Sequence, residues 1–290
     1  MFARLLLLSV ILAGRSAATP ADSSSGLTEA IALYDARSYS AARKRFEQIV
    51  ASRPDDPEVN YRLGRLALWF DDAARGRTCL EKAARAAPND ARIQDALGDA
   101  YGLIAQKAGK IAGFGLAMKC RAAYQRAVKL DPRNIEYHWS LLRYFLEAPW
   151  MVGGGMKKAY AEAAEIKKLD AEDGRIAFAT LFLAEENYDR AFQEFDEVMG
   201  RTPDDFMALY QIGRCAAVSG QDLGRGRAAL RRCLQLSPPK RPGAPTYGNV
   251  HYRLGNILEK EGDLAGAKAE YAASREADPD LRPEKDLLKN

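Results

Sequence analysis

Histidine and cysteine are scarce in this chain, and their scarcity argues against several kinds of catalytic site. The 290 residues include only two histidines and four cysteines. His138 and His251 lie far apart, and the sequence has no His-Glu-x-x-His pair or Cys/His spacing typical of a metal site. We therefore expect no metal and no cofactor, and we interpret each histidine as a surface or groove residue.

Motifs for nucleophilic catalysis and phosphate binding are also missing. The sequence has no Gly-x-Ser-x-Gly elbow, which would expose a nucleophilic serine at a sharp turn. Gly153-Gly154-Gly155 is not followed by the Lys-Ser/Thr pair that a phosphate-binding loop requires. The chain is predicted not to be an enzyme.

Neither sign of charge dominates the sequence. There are 43 basic and 39 acidic residues, for a net charge of +4. Removing residues 1–18 takes away two arginines and no acid, which leaves +4 − 2 = +2. The cluster of Arg225, Arg227, Arg231 and Arg232 is interpreted as the solvated back of a helix, where the stems cover apolar surface. Nucleic acid is therefore not an expected partner.

The most prominent apolar run lies at the N-terminus, from Leu5 to Ala13. A basic start precedes it at Met1–Arg4, and the small residues Ser16-Ala17-Ala18 follow it. About nine apolar residues are too few to span a bilayer, which takes roughly 20. This arrangement predicts a secretory signal peptide over residues 1–18, and hence an exported protein, most plausibly periplasmic.

A hydrophobic residue followed by glycine recurs along the chain at a nearly constant spacing. The pairs are Leu63-Gly64, Leu97-Gly98, Ile212-Gly213 and Leu254-Gly255. About a dozen positions later comes a small residue, an aromatic residue or leucine, and another small residue, before a closing proline. A period of about 34 residues indicates paired antiparallel helices, with small residues where they cross and proline after the second helix.

This pattern resembles the tetratricopeptide repeat (TPR) family. Together with the predicted signal peptide, it resembles an exported bacterial member of that family. The resemblance implies an all-α fold, a right-handed α-solenoid of about seven helix-turn-helix units. Residues 19–290 are predicted to form one domain, because no unit buries its apolar face alone. The units are predicted at residues 23–56, 57–90, 91–134, 135–171, 172–205, 206–240 and 248–281.

The resemblance also implies a binding surface, since the first helices of a TPR stack line its concave face. Aromatic residues stand at the fifth position of four units and arginines at the ninth position of three: Tyr61, Trp139, Tyr210 and Tyr252, with Arg65, Arg143 and Arg214. These two positions are one turn apart on the same helix face. They predict a groove of rings and guanidinium groups for an extended peptide, especially an acidic one.

The same residues have an alternative, purely structural interpretation. The rings can pack against the neighbouring first helix, and the arginines can pair with Asp95, Asp99 or Glu136. The chain also departs from the carboxylate-clamp TPR proteins that bind chaperone tails. The lysine and asparagine required there are replaced, for example by Tyr61 and Arg65.

Two units carry insertions, at residues 103–119 and 148–156. Both insertions fall between the two helices of a unit, so both are expected at the same edge of the solenoid. Their apolar side chains are Phe114, Leu116, Trp150, Met151 and Val152. One interpretation is a docking rim for a partner or lipid-like ligand, with Phe114 and Trp150 as binding residues. The other is that the insertions extend the helices and seal a repeat junction.

The four cysteines are expected to be free thiols, with Cys120 and Cys233 buried. Cys215 and Cys233 belong to antiparallel helices but lie near opposite ends of the pair, roughly 12 Å apart along the axis. A disulfide needs Cα atoms within about 7 Å.

The sequence as a whole predicts a non-catalytic scaffold that binds a peptide or protein segment in its concave groove, within an envelope-associated assembly. The alternative is a periplasmic carrier or accessory protein for a small apolar or acidic ligand beside a transport system. A closed apolar cavity between the third and fourth units would favour that alternative.

Overall fold

The computed structural model describes residues 20–239, 244–279 and 281. The segment predicted as a signal peptide, residues 1–18, lies outside them. Within the described ranges the regular structure is α-helical and contains no strand, which confirms the predicted all-α solenoid. No helix in these ranges combines the length and the hydropathy needed to cross a bilayer.

Fourteen helices in the described ranges form seven antiparallel hairpins. They are α1 (Pro20–Asp35) with α2 (Tyr39–Ser52), α3 (Pro57–Trp69) with α4 (Ala73–Ala86), α5 (Ala91–Ala112) with α6 (Phe114–Leu130), α7 (Ile135–Glu147) with α8 (Met156–Leu169), α9 (Ala171–Ala184) with α10 (Tyr188–Arg201), α11 (Phe206–Ser219) with α12 (Leu223–Cys233), and α13 (Tyr247–Glu261) with α14 (Leu264–Ala277). A short 3₁₀ turn, Trp150–Val152, separates α7 from α8.

Short polar side chains begin most of these helices. Asp56 accepts hydrogen bonds from the backbone N–H groups of Glu58 and Val59 at the start of α3. The side chains of Asp90 and Asn134 each accept one such hydrogen bond from a backbone N–H group, at the starts of α5 and α7. Such caps satisfy donors that have no partner within the helix, and they fix where each helix begins.

Glycine allows the two helices of a hairpin to approach each other closely. Gly64 of α3 faces Gly76 of α4, and a Cβ on either would overlap a leucine side chain, Leu80 or Leu68 respectively. The predicted pairing of Gly64 with Gly76 is therefore confirmed. Close approach brings these leucines into the buried core of the hairpin.

The first helices of the hairpins form the inner layer of the solenoid. α3 contacts α5, α7 contacts α9, and α11 contacts both α9 and α13. The second helices join adjacent repeats mainly by contacting the next first helix, as α4 contacts α5 and α8 contacts α9. The first helices pack side by side, so the positions on them that point away from the second helices line the concave face.

A buried polar residue at the fourth position of three repeats joins each repeat to the one before it. The side chains of Asn60 and Gln94 donate to the carbonyl oxygens of Pro54 and Pro88, at 2.8 and 3.3 Å. His138 meets the oxygen of Pro132 through Nε2 at 3.0 Å, and its Nδ1 lies 2.8 Å from Glu162. His138 is buried, so the prediction of a surface or groove histidine was wrong for this residue.

All four cysteines are free thiols, as predicted. Cys120 and Cys233 are buried, also as predicted, and Cys215 is buried as well. Burial raises the pKa of each of these three thiols to about 12. They therefore stay protonated at neutral pH and act as small core residues.

Candidate binding groove on the concave face

The repeat register places aromatic residues and arginines on the inner helices, one turn apart. α3 carries Tyr61 and Arg65, α7 carries Trp139 and Arg143, and α11 and α13 carry the corresponding residues of repeats six and seven. The same register applied to α5 gives two acids, Asp95 and Asp99. An anionic repeat therefore lies between two cationic ones in the N-terminal half of the groove.

At the N-terminal end of the groove, the predicted site residues are occupied by contacts within the protein. The ring of Tyr61 is half-buried and is covered by the Arg92 guanidinium, 5.2 Å from its centroid. Arg65 forms an ion pair with Asp99 at 3.5 Å. The alternative interpretation, in which these side chains have a structural role, is correct at this end.

The two acids of α5 lie in different surroundings. Asp99 accepts a hydrogen bond from the Tyr124 hydroxyl at 2.8 Å in addition to its contact with Arg65. Burial and the adjacent charge of Asp99 raise the pKa of Asp95 to about 7, although the Ser140 hydroxyl donates to its carboxylate. Oδ1 of Asp95 is shielded from solvent and accepts no hydrogen bond from the described residues.

Trp139 and Arg143 of α7 form the centre of the groove. The ring of Trp139 is partly buried against the core, so one side remains open. The Arg143 side chain is exposed and forms no ion pair within 4 Å among the described residues. The protein atoms around Arg143 displace part of its water, which lowers its pKa, but the charges of Tyr124, Asp99 and Asp95 raise the pKa more, so the guanidinium stays charged.

In repeat six, Tyr210 and Arg214, which the sequence predicts as neighbours in the groove, lie in different surroundings. Tyr210 is only 6% exposed and belongs to the core, so its prediction as a groove ring was wrong. Position five of this repeat lies in the core cluster that also contains Ala179 of the preceding helix α9. Arg214 is half-buried, and its Nη1 lies 3.1 Å from Gln211 Oε1.

Arg143 and Arg214 act on each other electrostatically across α9. Burial lowers the pKa of Arg214, and the positive charge of Arg143 lowers it further. The residue at the ninth position of the intervening helix is Thr180, which is buried and donates to the carbonyl of Ile176. A small, uncharged residue there leaves the two guanidinium groups without an intervening side-chain charge.

At the C-terminal end, Tyr252 is half-buried and packs against Tyr271, with ring centroids 5.6 Å apart. The Arg253 guanidinium also lies over its ring, at 5.5 Å. The neighbouring Asn256 donates to the Tyr271 hydroxyl at 2.9 Å. Tyr252 therefore forms part of the internal packing of the last hairpin and offers at most an edge to a ligand.

The other predicted binding residues, Phe114 and Trp150, lie far from the groove centre, at the turns of repeats three and four. Phe114 is 46% exposed and Trp150 is 82% exposed. Leu116 packs against the core, and Val152 is buried. The insertions therefore extend the helices and contribute some side chains to the core, and they leave other apolar side chains exposed.

The described ranges offer no candidate metal site, and a cavity that they contain does not lie where the carrier alternative places one. They contain no group of three or more His, Cys, Asp or Glu residues able to hold a metal ion. A cavity of about 270 Å³ lies on the last hairpin, between Glu259, Leu264 and Tyr271, and not between the third and fourth repeats.

The clustered arginines of α12 are occupied by carboxylates of neighbouring repeats. Arg232 donates two hydrogen bonds to the Asp204 carboxylate in a bidentate contact, at 2.7 and 2.8 Å. Arg227 pairs with Glu261 at 2.7 Å, and Arg225 pairs with Asp196. These pairs link adjacent repeats and fit the interpretation of a solvated outer helix.

Comparison with known proteins assigns the chain to a family. Residues 33–100, 176–245 and 248–281 match tetratricopeptide repeat families, and together these segments make up more than half of the chain. The protein is a member of the TPR family, as the sequence pattern predicted. TPR proteins are generally non-catalytic scaffolds that bind proteins or peptides.

A curated relative supports this assignment, and two solved structures share the fold. A TPR repeat-containing protein of Pseudomonas aeruginosa is 27% identical over 216 residues, which cover 73% of this chain but only 34% of the relative. A TPR protein of Parabacteroides merdae has a TM-score of 0.59 at 13% identity, covering 92% of this chain and 97% of its own. A TPR protein of Thermus thermophilus has a TM-score of 0.53 at 20% identity, covering 73% and 99%.

Proposed function

We propose that the protein is an exported, non-catalytic scaffold that binds an extended acidic peptide segment across the centre of its concave groove. The observation that carries this proposal is the exposed, unpaired guanidinium of Arg143 beside the open ring of Trp139 and the like charge of Arg214. The residues that bind are a central subset of those predicted from the register.

Electrostatic repulsion between Arg143 and Arg214 favours an anionic ligand. The positive charge of Arg143 makes the charged form of Arg214 less favourable in the empty groove. A carboxylate near both would remove that cost, and arginine's planar fork holds a carboxylate by two parallel hydrogen bonds. We therefore place an acidic side chain or a C-terminal carboxylate of the ligand near these two residues.

Binding of labelled peptides tests this function directly. Two peptides of equal length, one rich in glutamate and one with glutamine at the same positions, isolate the charge of the ligand. We expect the glutamate peptide to bind and Arg143→Ala to weaken that binding by about 1–3 kcal/mol, the range for a hydrogen bond to a charged group.

Arg227→Ala is the matched control, because it removes a guanidinium from the outer helix α12 and its pair with Glu261. It should leave peptide affinity unchanged. If Arg227→Ala weakens binding while Arg143→Ala does not, the ligand surface lies on the other face of the solenoid.

Export is a separate part of the proposal and rests on the sequence of residues 1–18. Cleavage after Ala18 would place the mature N-terminus at Thr19. The intact mass of the protein isolated from its native cells should equal that of residues 19–290. A mass that includes residues 1–18 would contradict export by this route.

A further inference from the structure

A set of large apolar side chains is exposed at one edge of the solenoid, where the turns of repeats three and four lie side by side. Its members are Ile111, Phe114, Trp150 and Met151, which are 94%, 46%, 82% and 56% exposed. We call this set the apolar tip. Soluble proteins seldom expose apolar side chains of this size in a group, so the apolar tip requires an explanation.

The apolar tip is held in place by hydrogen bonds to the backbone around it. Arg121 of α6 and the hydroxyl of Tyr144 both donate to the carbonyl oxygen of Val152, at 3.2 and 2.8 Å. The backbone N–H of Gly155 donates to Phe145 at 2.7 Å. Val152 points into the core while Trp150 and Met151 point outward. The exposure of Trp150 is thus a property of an ordered turn.

The glycines of this turn are required by its geometry. Gly153 and Gly155 have φ angles of 92° and 140°, which favour glycine over other residues. Gly154 has no room for a Cβ, which would overlap the carbonyl oxygen of Ala148. The Gly153-Gly154-Gly155 run therefore builds a tight turn that presents the apolar tip.

The segments that form the apolar tip carry basic residues and no acidic ones. The sequence has no acid between Asp99 and Asp131, and none from Ala148 to Tyr160, and the exposed Glu147 directly precedes the second segment. Lys107, Lys119 and Lys157 are exposed on the helices that carry the tip. The two segments therefore combine exposed apolar side chains with a net positive charge.

This charge pattern is confined to the two long repeats. The flanking turns on the same edge carry acids instead: Asp71 and Asp72 between α3 and α4, and Glu185 and Glu186 between α9 and α10. α5 and α6 have 22 and 17 residues, compared with 13 and 14 in α3 and α4. The long hairpin therefore extends at least about 5 Å beyond its acidic neighbour.

We propose that the apolar tip docks the protein on an anionic membrane surface. The rings and aliphatic chains of the tip would enter the boundary between headgroups and acyl chains, where tryptophan is favoured. The surrounding lysines would face the negatively charged lipid headgroups. The acidic turns on either side, set back from the long hairpin, would stay away from the surface and fix the orientation of the solenoid.

The fluorescence of Trp150 tests this docking directly. Phe is substituted for the other two tryptophans, Trp69→Phe and Trp139→Phe, so that emission reports on Trp150 alone. Vesicles of equal parts phosphatidylglycerol and phosphatidylcholine should shift its emission to the blue, and brominated lipid should quench it. Vesicles of phosphatidylcholine alone should cause little change, and added salt should reverse the shift.

Vesicle flotation of the full chain gives a second measurement that does not depend on the tryptophan substitutions. Trp150→Ser and Met151→Ser together should reduce binding to phosphatidylglycerol vesicles at least tenfold, because two large apolar groups are lost from the interface. Leu264→Ser removes an exposed apolar side chain, 68% accessible, from another hairpin and should have no effect. All variants share residues 1–19, so any contribution of the Leu5–Ala13 run is the same in each.

Substitution of either of two lysines on α8 distinguishes the effect of a charge near the apolar tip from the effect of the net charge of the protein. Lys157 lies at the start of α8 beside the apolar tip, and Lys168 lies near its other end, paired with Glu165. Lys157→Glu should lower vesicle affinity about fivefold or more, given the contribution of one basic residue near an anionic surface. Lys168→Glu, with the same change of net charge, should have no more than a small effect.

Three outcomes would overturn the proposal. The first is an unchanged Trp150 emission in the presence of phosphatidylglycerol vesicles. The second is an equal response to neutral vesicles, which would remove the role of the cations. The third is a blue shift that depends on protein concentration without any lipid, which would assign the tip to association between copies of the chain.

Discussion

The hydroxyl of Tyr124 on the outer helix α6 donates a hydrogen bond to the Asp99 carboxylate on the inner helix α5, at 2.8 Å. The ring reaches this position because it lies against Gly98, where any Cβ would overlap it. Since Asp99 also pairs with Arg65, the packing of one hairpin is connected to the charges that line the groove.

Tyr124→Phe should lower the free energy of unfolding by about 1–3 kcal/mol, because the half-buried Asp99 carboxylate loses one of its donors. Urea unfolding followed by circular dichroism measures the change. Tyr271→Phe is the matched control, since Tyr271 occupies the same place over Gly255 in the last hairpin and donates to the exposed Glu259. If Tyr271→Phe lowers the free energy of unfolding as much as Tyr124→Phe does, the contact with Asp99 has no special role.

The carboxylate of Asp95 should make stability depend on pH near neutrality. Its pKa is about 7 in the folded protein, mainly because of burial and the charge of Asp99, and about 4 in an unfolded chain. Between these values the folded protein keeps a proton that the unfolded chain releases. Stability from this group is therefore present below about pH 4 and is lost as the pH rises to about 7.

Asp95→Asn removes this titration. The variant should be more stable than the wild type by on the order of 2–4 kcal/mol at about pH 8 and equal to it at about pH 4. Ser140→Ala should raise the pKa of Asp95 further, because the Ser140 hydroxyl stabilises the ionised form. Urea unfolding across this pH range, with carbon NMR of the Asp95 carboxylate, checks both. A titration of Asp95 near 4 would contradict the prediction.

Trp139→Ala should weaken binding of the glutamate peptide by at least about 2 kcal/mol, since partly buried aromatic residues commonly dominate interface energies. Affinity should also fall as salt is added, because the carboxylate contact at Arg143 is accessible to ions. Fluorescence anisotropy of the labelled peptide measures both effects. Tyr210→Phe is the control within the same register, because Tyr210 lies in the core and should contribute nothing to affinity.

The exposed and buried members of the insertions should differ in their effect on stability. Phe114→Ser, Trp150→Ser and Met151→Ser should each change the free energy of unfolding by less than about 0.5 kcal/mol, as surface substitutions usually do. Val152→Ala should cost about 1–2 kcal/mol, because it removes two buried carbon groups. Thermal melts distinguish the two sets. A large loss at Trp150 would show that its ring is buried in solution.

The fold could be predicted from the sequence because its signals are local and repeated. Leu63-Gly64 and Leu254-Gly255 mark the crossing of two helices wherever they occur, and the register follows from the period. It was harder to predict which side chains of the insertions are buried and which are exposed. Whether Leu116 packs inward and Phe114 outward depends on how α5 turns at Gly109, where φ is 76°. That turn is a property of the packed hairpin.

The candidate site was predicted only in part, because repeat register gives the direction of a side chain but not its neighbours. Arg143 lies on an exposed surface, whereas Tyr210, at the position equivalent to that of Trp139, is buried in the core. The acidic pair Asp95 and Asp99 follows from the same register, yet the raised pKa of Asp95 depends on its depth in the groove. Burial of this kind needs the three-dimensional arrangement of several repeats.

The links made by Asn60, Gln94 and His138 give the solenoid a direction. In each case the carbonyl that ends one repeat, such as that of Pro88, finds its partner on the first helix of the following repeat. Each of the first three hairpins therefore ends in a carbonyl group whose side-chain partner lies on the next repeat. Truncation of the chain after any of these hairpins would leave that carbonyl group to water, so each of them depends on the repeat that follows it.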